Sequence, residues 1–191
     1  MSETMFIQAR FCGPLRDPGV IDWIVIHTME APEKPHTARA VAEWFASDKS
    51  PKASAHYCID DGEIIQCVSE SVVAWGAPGA NQKGIHLEHA GFASQIELDW
   101  DDIYSRTVLE NSAERAADIC KRYQIPAVHL SVDELRQGMR GFCGHIDVTN
   151  AFNGGHGHTD PGPNFPWDRY LGHVSLNLLD GSENPPPHEQ A

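Results

Sequence analysis

Short apolar runs separated by polar turns predict β-strands along the first half of the chain. Residues 22–27 form one such run, which ends in His27, so we predict a buried strand there. Residues 56–59 and 63–68 flank the Asp-Asp-Gly sequence at 60–62, which is typical of a β-hairpin. These segments predict at least part of a sheet.

A further strand is predicted over residues 84–89, where the side chains alternate with a period of two. The alternation places three residues on one face of the strand, Ile85, Leu87 and His89. His86 and Glu88 then share the opposite face. One strand can therefore contribute an apolar core on one side and polar chemistry on the other.

Apolar residues spaced three and four apart predict three helices. We expect Thr37 to cap a helix that continues to about Ser47, and a long helix to span residues 105–123. Residues 138–166, rich in Gly, His, Asn and Pro, are expected to be mostly loop, and the last helix is marked by Trp167, Leu171, Val174 and Leu178. Strands interspersed with helices predict an α/β fold, a single domain with a central mixed β-sheet flanked by helices.

Length and charge narrow the classes of function. The 191 residues suit one domain, which we expect over residues 20–179, with an N-terminal extension over 1–19 and a Pro-rich tail or linker over 180–191. The net charge of −13 argues against non-specific nucleic-acid binding and against docking on an anionic membrane. The five scattered cysteines show no paired spacing, so we expect reduced thiols. No apolar run predicts membrane insertion.

Several histidines and carboxylates are candidates for a metal site. His27, His145 and Asp160 would give two imidazoles and one carboxylate, a set that leaves the fourth zinc position open for water. Spacing alone permits other pairs, His56 with Cys58 and His156 with His158. The pattern by itself therefore indicates a metal hydrolase without fixing its ligands.

Six ordered motifs between about residues 20 and 175 resemble the N-acetylmuramoyl-L-alanine amidase family of the amidase-2 type, which is related to peptidoglycan recognition proteins and phage amidase endolysins. The motifs read Ile-Val-Ile-His at 24–27, Ser-Ala-His-Tyr-Cys-Ile-Asp-Asp-Gly at 54–62, Ala-Trp at 74–75, Leu-Glu-His-Ala-Gly at 87–91, Gly-His-Ile-Asp at 144–147 and His-Thr-Asp-Pro-Gly-Pro at 158–163. The resemblance implies a zinc site in a surface cleft, with His27, His145 and Asp160 as the metal ligands. It also implies that Glu88 is catalytic, and that His158 is catalytic at a position where many relatives carry lysine.

The chain departs from the family pattern in three places. Histidine at 158 replaces a permanent cation by a group that can lose its charge near neutral pH. Relatives often read Ala-Trp-His-Ala-Gly where this chain has Ala-Trp-Gly-Ala-Pro at 74–78, so a histidine expected at the cleft rim is missing. Ala55 stands where some relatives place a tyrosine. For substrate contacts we expect Trp75 and His86.

The resemblance implies an enzyme that cleaves the amide bond between N-acetylmuramic acid and L-alanine in peptidoglycan. A phage or prophage endolysin domain is the expected setting. The N-terminal sequence lacks the features of a signal peptide, so we expect synthesis in the cytoplasm and release that depends on a holin. Two alternatives stay open, a non-catalytic peptidoglycan-binding module and a recycling amidase that acts on soluble muropeptides. A monomer is expected.

Overall fold

A mixed β-sheet forms the centre of the molecule. The computed structural model describes residues 4–152 and 157–180, and in this part of the chain six strands pair in the order β1-β4-β3-β5-β2-β6. Only β3 and β4 run antiparallel, as the predicted hairpin, and the other neighbours are parallel. The strands are β1 (Met5–Phe6), β2 (Trp23–Thr28), β3 (Tyr57–Ile59), β4 (Ile64–Gln66), β5 (Gly84–His89) and β6 (Gly141–Gly144).

Helices cover both faces of this sheet, which confirms the predicted α/β class. They are α1 (Thr37–Ala46), α2 (Ile103–Tyr123), α3 (Val132–Arg136), α4 (His145–Phe152) and α5 (Trp167–Asp180). On one face, α2 and α5 pack against Ile24, Ile85 and Leu87 in the main apolar core. On the other face, α1 packs near the β3–β4 hairpin, and α4 packs over β2 and β6. The polar side of β5 therefore faces the gap between α1 and α4.

Two local expectations were wrong. Thr37 is the first residue of α1 rather than its cap, and its hydroxyl group donates a hydrogen bond to the Pro32 carbonyl. The segment expected to be mostly loop contains β6 and α4. β6 is short and bounded by glycines, so its sequence shows only a weak alternation of apolar and polar residues. Its pairing with β2, distant in sequence, fixes it as a strand.

The described residues from Met5 to Arg16 pack on the folded body, within the stretch 1–19 where an N-terminal extension was expected. β1 adds to the sheet beside β4, and the guanidinium group of Arg16 is buried. Arg16 donates hydrogen bonds to the carbonyl groups of Asn81, Gln82 and Gly84, at the entrance to β5. The expected tail lies outside the described residues, apart from Asp180 at the end of α5. None of the helices in the described ranges has the length and apolar character needed to cross a bilayer.

Candidate metal centre

Three side chains converge at the C-terminal ends of the central parallel strands. His27 lies near the end of β2, His145 is the first residue of α4, and Asp160 lies in the turn before α5. His27 Nδ1 is 2.9 Å from Asp160 Oδ2, and His145 Nδ1 is 3.3 Å from Asp160 Oδ1. The three ligand atoms all lie within 4.8 Å of one another. Each carboxylate oxygen thus faces a different imidazole, and the group could hold a metal ion.

The sheet and a tight turn bring these residues together. β6 pairs with β2 so that Gly144 lies beside Ile26, which places the next residues, His145 and His27, at the same edge. Gly162 has φ +94°, and a Cβ there would lie 2.0 Å from the Ala93 carbonyl oxygen. Only glycine fits this turn without strain, so the turn that carries Asp160 can close against the loop after β5.

Burial controls the charges at this centre. Burial alone would raise the pKa of the Asp160 carboxyl group, but the hydrogen bonds from His145 and His27 hold it well below its usual value. Burial lowers the pKa of His27, and its contact with Asp160 only partly opposes this effect. Asp160 is therefore ionised and His27 neutral near pH 7, which are the forms that bind metals.

Glu88 lies beside the centre on the polar face of β5, as the alternation predicted. Its backbone is in register with His27 on one side and Cys58 on the other. Its Oε2 atom is buried and has no hydrogen-bond partner among the described residues. Burial, followed by repulsion from Asp160, raises the pKa of Glu88 well above its usual value. Carboxyl groups with a strongly raised pKa in a cleft commonly act as proton acceptors or donors.

A cleft of about 340 Å³ opens above these groups. His158 lies at its rim, with its side chain 52% exposed and its ring stacked on His145 at a centroid distance of 3.9 Å. Trp75 lines the cleft, as expected, and stacks on Phe11. Trp44 is 43% exposed and forms part of the cleft wall on α1. Trp44 and Phe45 are adjacent in the helix, so only one of them, Phe45, can face the sheet.

His86 does not line the cleft, which corrects the expectation that it contacts substrate. The residue is 0% exposed and lies behind His27, with His86 Nδ1 3.0 Å from His27 Nε2. The period-two pattern predicted the correct face of β5 but not how deeply each side chain is buried. Gly84 and His86 lie nearer the start of the strand than Glu88 does, and there the polar face is fully covered.

Of the rival metal pairs, His56 with Cys58 does not belong to a converging ligand group in the described ranges. His56 and Cys58 are both buried, and the Cys58 thiol lies 3.7 Å from the Cys67 thiol without a disulfide. His156 lies outside the described residues. In the two described ranges, His27, His145 and Asp160 form the one group of three potential ligands whose atoms converge.

A buried His-His-Asp group lies beneath an open cleft, next to a carboxyl group whose Oε2 atom has no partner in the described ranges. This arrangement is typical of a hydrolase active centre. Residues 17–163 match the family described as N-acetylmuramoyl-L-alanine amidase. The chain belongs to this family, and it is a peptidoglycan amidase.

Individual proteins agree with the family match. The chain is 29% identical to N-acetylmuramoyl-L-alanine amidase A of Achromobacter lyticus over 176 residues, which covers 85% of each chain. Its fold is similar to that of the Staphylococcus aureus hydrolase AmiA, solved in complex with its ligand, with a TM-score of 0.72, 16% identity and coverage of 97% of this chain and 88% of that chain. A mutant endolysin from Bacillus subtilis gives a TM-score of 0.60 at 16% identity, covering 91% and 99%.

Proposed function

We propose that this amidase depends on zinc, held by His27 Nδ1, His145 Nδ1 and a carboxylate oxygen of Asp160. Two imidazole nitrogens and one carboxylate form a donor set that zinc accepts in catalytic sites, where a fourth position stays open. All three residues line the cleft, so that position would face the substrate. The convergence of these three ligand atoms within 4.8 Å is the observation that carries the proposal.

The bond broken is the amide between the lactyl group of N-acetylmuramic acid and the amino group of L-alanine. Zinc, when bound, supplies a Lewis acid that polarises the amide carbonyl and acidifies water. Glu88 accepts a proton as the water oxygen bonds to the carbonyl carbon. Glu88 then delivers that proton to the nitrogen as the carbon–nitrogen bond breaks, which releases the free amine of L-alanine.

His158 is positioned to stabilise the oxygen on which negative charge develops. Its Nδ1 lies 3.6 Å from Asp160 Oδ1, and its exposed edge faces the cleft. An imidazole N–H at this rim can donate a hydrogen bond to the carbonyl oxygen in the transition state. Trp44 and Trp75 give the cleft an aromatic wall against which sugar and stem peptide can pack.

We further propose that the protein acts as the amidase domain of a phage or prophage endolysin and reaches the wall after release from the cytoplasm. The similarity of its fold to that of the Bacillus subtilis endolysin supports this setting. A non-catalytic recognition module would have no use for a complete ligand set beside an unpaired glutamate. The protein is proposed to work as a monomer.

Digestion of purified peptidoglycan tests the proposal, with three samples compared: protein alone, protein with a zinc chelator, and chelated protein after zinc is restored. New L-alanine amino termini should appear in the first and third samples only. Cleavage that persists in the chelator would refute the zinc dependence. Cleavage of soluble muropeptides but not polymer would contradict the endolysin role, and tight binding without any cleavage would contradict catalysis.

A further inference from the structure

We propose that His86 is a positioning residue for His27: it accepts a hydrogen bond from His27 Nε2 and thereby directs His27 Nδ1 toward the metal. This inference rests on the proposed metal site. His86 Nδ1 lies 3.0 Å from His27 Nε2, and both rings are buried. His27 Nδ1, at the other end of the ring, faces Asp160.

The chemistry of imidazole fixes the direction of this hydrogen bond. A neutral imidazole carries one N–H group and one lone pair, so a ring that offers Nδ1 to a metal must carry its proton on Nε2. That Nε2–H group is buried and needs an acceptor. His86 Nδ1 is the acceptor within reach, since no other contact to His27 Nε2 is found in the described parts of the chain.

The His86 ring packs against the ring of His56. It stacks on His56 with a centroid distance of 5.6 Å and an interplanar angle of 7°. The two residues also share a hydrogen bond, which the backbone N–H group of His86 donates to the side-chain Nδ1 atom of His56 at 3.0 Å. This stack and the burial of His86 restrict rotation of the ring and so favour one position for its acceptor atom.

Two glycines make room for this ring. A Cβ at Gly76 would lie 2.6 Å from His86 Nδ1, and a Cβ at Gly84 would lie 3.2 Å from His86 Nε2 and 2.9 Å from a Val25 methyl group. A side chain at position 76 is therefore incompatible with His86 in its present position. Gly76, which stands where relatives often carry histidine, therefore leaves the space that the His86–His27 contact requires.

Loss of such a partner typically weakens metal binding by about 10- to 100-fold. We would measure the zinc dissociation constant of the full chain by competition with a chromogenic chelator, for wild type, His86→Leu and His86→Asn. Asparagine places an acceptor oxygen close to the position of the histidine Nδ1 atom. Leucine should weaken zinc binding by about 10- to 100-fold, and asparagine should restore most of it.

His89→Leu is the matched control. It also removes a buried imidazole from β5, but on the opposite face, where His89 contacts Ser112 and the His27 carbonyl rather than the His27 ring. Its thermal stability should fall without the same loss of zinc affinity. Equal losses in His86→Leu and His89→Leu, or no recovery with asparagine, would overturn the inference. Failure of the wild-type protein to bind zinc would instead overturn the metal site itself.

Discussion

At the scale of single residues, Glu88 is a carboxyl group whose buried environment makes its carboxylate form a stronger base. Its Oε2 atom is buried without a partner in the described parts of the chain, and burial raises its pKa. Desolvating a carboxyl group without a hydrogen bond is costly, so such a residue is retained where its chemistry is needed. The position beside His27 makes proton transfer the role that fits.

Glu88→Gln should lower kcat by about 100- to 10,000-fold, because an amide keeps the shape of the side chain but cannot accept the proton. Zinc content, measured by elemental analysis after dialysis, should stay at the wild-type level. Loss of zinc from this variant would make Glu88 a ligand or a structural residue instead.

His158→Ala should lower kcat by about 100- to 1,000-fold if the ring donates a hydrogen bond to the developing oxyanion. The fold should survive, because the side chain is 52% exposed. Steady-state kinetics together with a circular dichroism melt separate the two effects. Near-wild-type turnover would remove His158 from the mechanism, and His158→Lys, which restores the residue of many relatives, serves as the comparison.

At the scale of elements, the sequence predicts best where local pattern and final packing agree. The β3–β4 hairpin and the alternation along β5 are confirmed because each is set by residues close in sequence. β6 and α4 were missed because the identity of β6 depends on pairing with β2. The three proposed ligands come from separate elements, so spacing alone could not select them and the family resemblance did.

The turn that carries Asp160 gives a prediction at this scale. Gly162→Ala should destabilise the fold by about 1–3 kcal/mol or more, because a Cβ would collide with the Ala93 carbonyl group and the left-handed backbone is strained for alanine. Zinc affinity should fall as well, since Asp160 moves with the turn. Gly172→Ala, in α5 with open space around its Cβ, is the control and should be neutral or stabilising in urea denaturation.

Helix α1 gives a second prediction, because its exposed Trp44 forms one wall of the cleft. Trp44→Ala should raise KM while kcat changes little, as expected when a group binds the ground and transition states equally. Kinetics on a soluble muropeptide would measure both parameters. A loss confined to kcat would place Trp44 in the chemical step and contradict a binding role.

At the scale of the whole molecule, buried neutral histidines link stability to pH. Burial lowers the pKa of His89 to about 4, and burial followed by the charge of Arg16 lowers that of His56 to about 3. Below about pH 6.5 the unfolded chain binds protons at these residues, but the folded chain does not. Stability is therefore complete above pH 6.5 and falls as the pH is lowered, by about 3 kcal/mol for His89 alone by pH 4.

Urea denaturation of the metal-free protein between pH 7 and 5 would measure this loss. His89→Asn should be less stable than wild type at pH 7. Its free energy of unfolding should also fall less steeply as the pH is lowered, with a slope smaller than that of wild type by about 1.4 kcal/mol per pH unit. An unchanged slope in this variant would show that His89 is not a source of the pH dependence.

The central claim is that this site adds water across the lactyl amide bond of peptidoglycan. The most direct measurement is mass spectrometry of a defined muropeptide digested in water labelled with heavy oxygen. The claim predicts one heavy oxygen in the new lactyl carboxyl group and an unlabelled peptide with a free L-alanine amine, formed by wild type and not by Glu88→Gln. Label in the sugar ring or within the peptide, or equal product from both proteins, would contradict it.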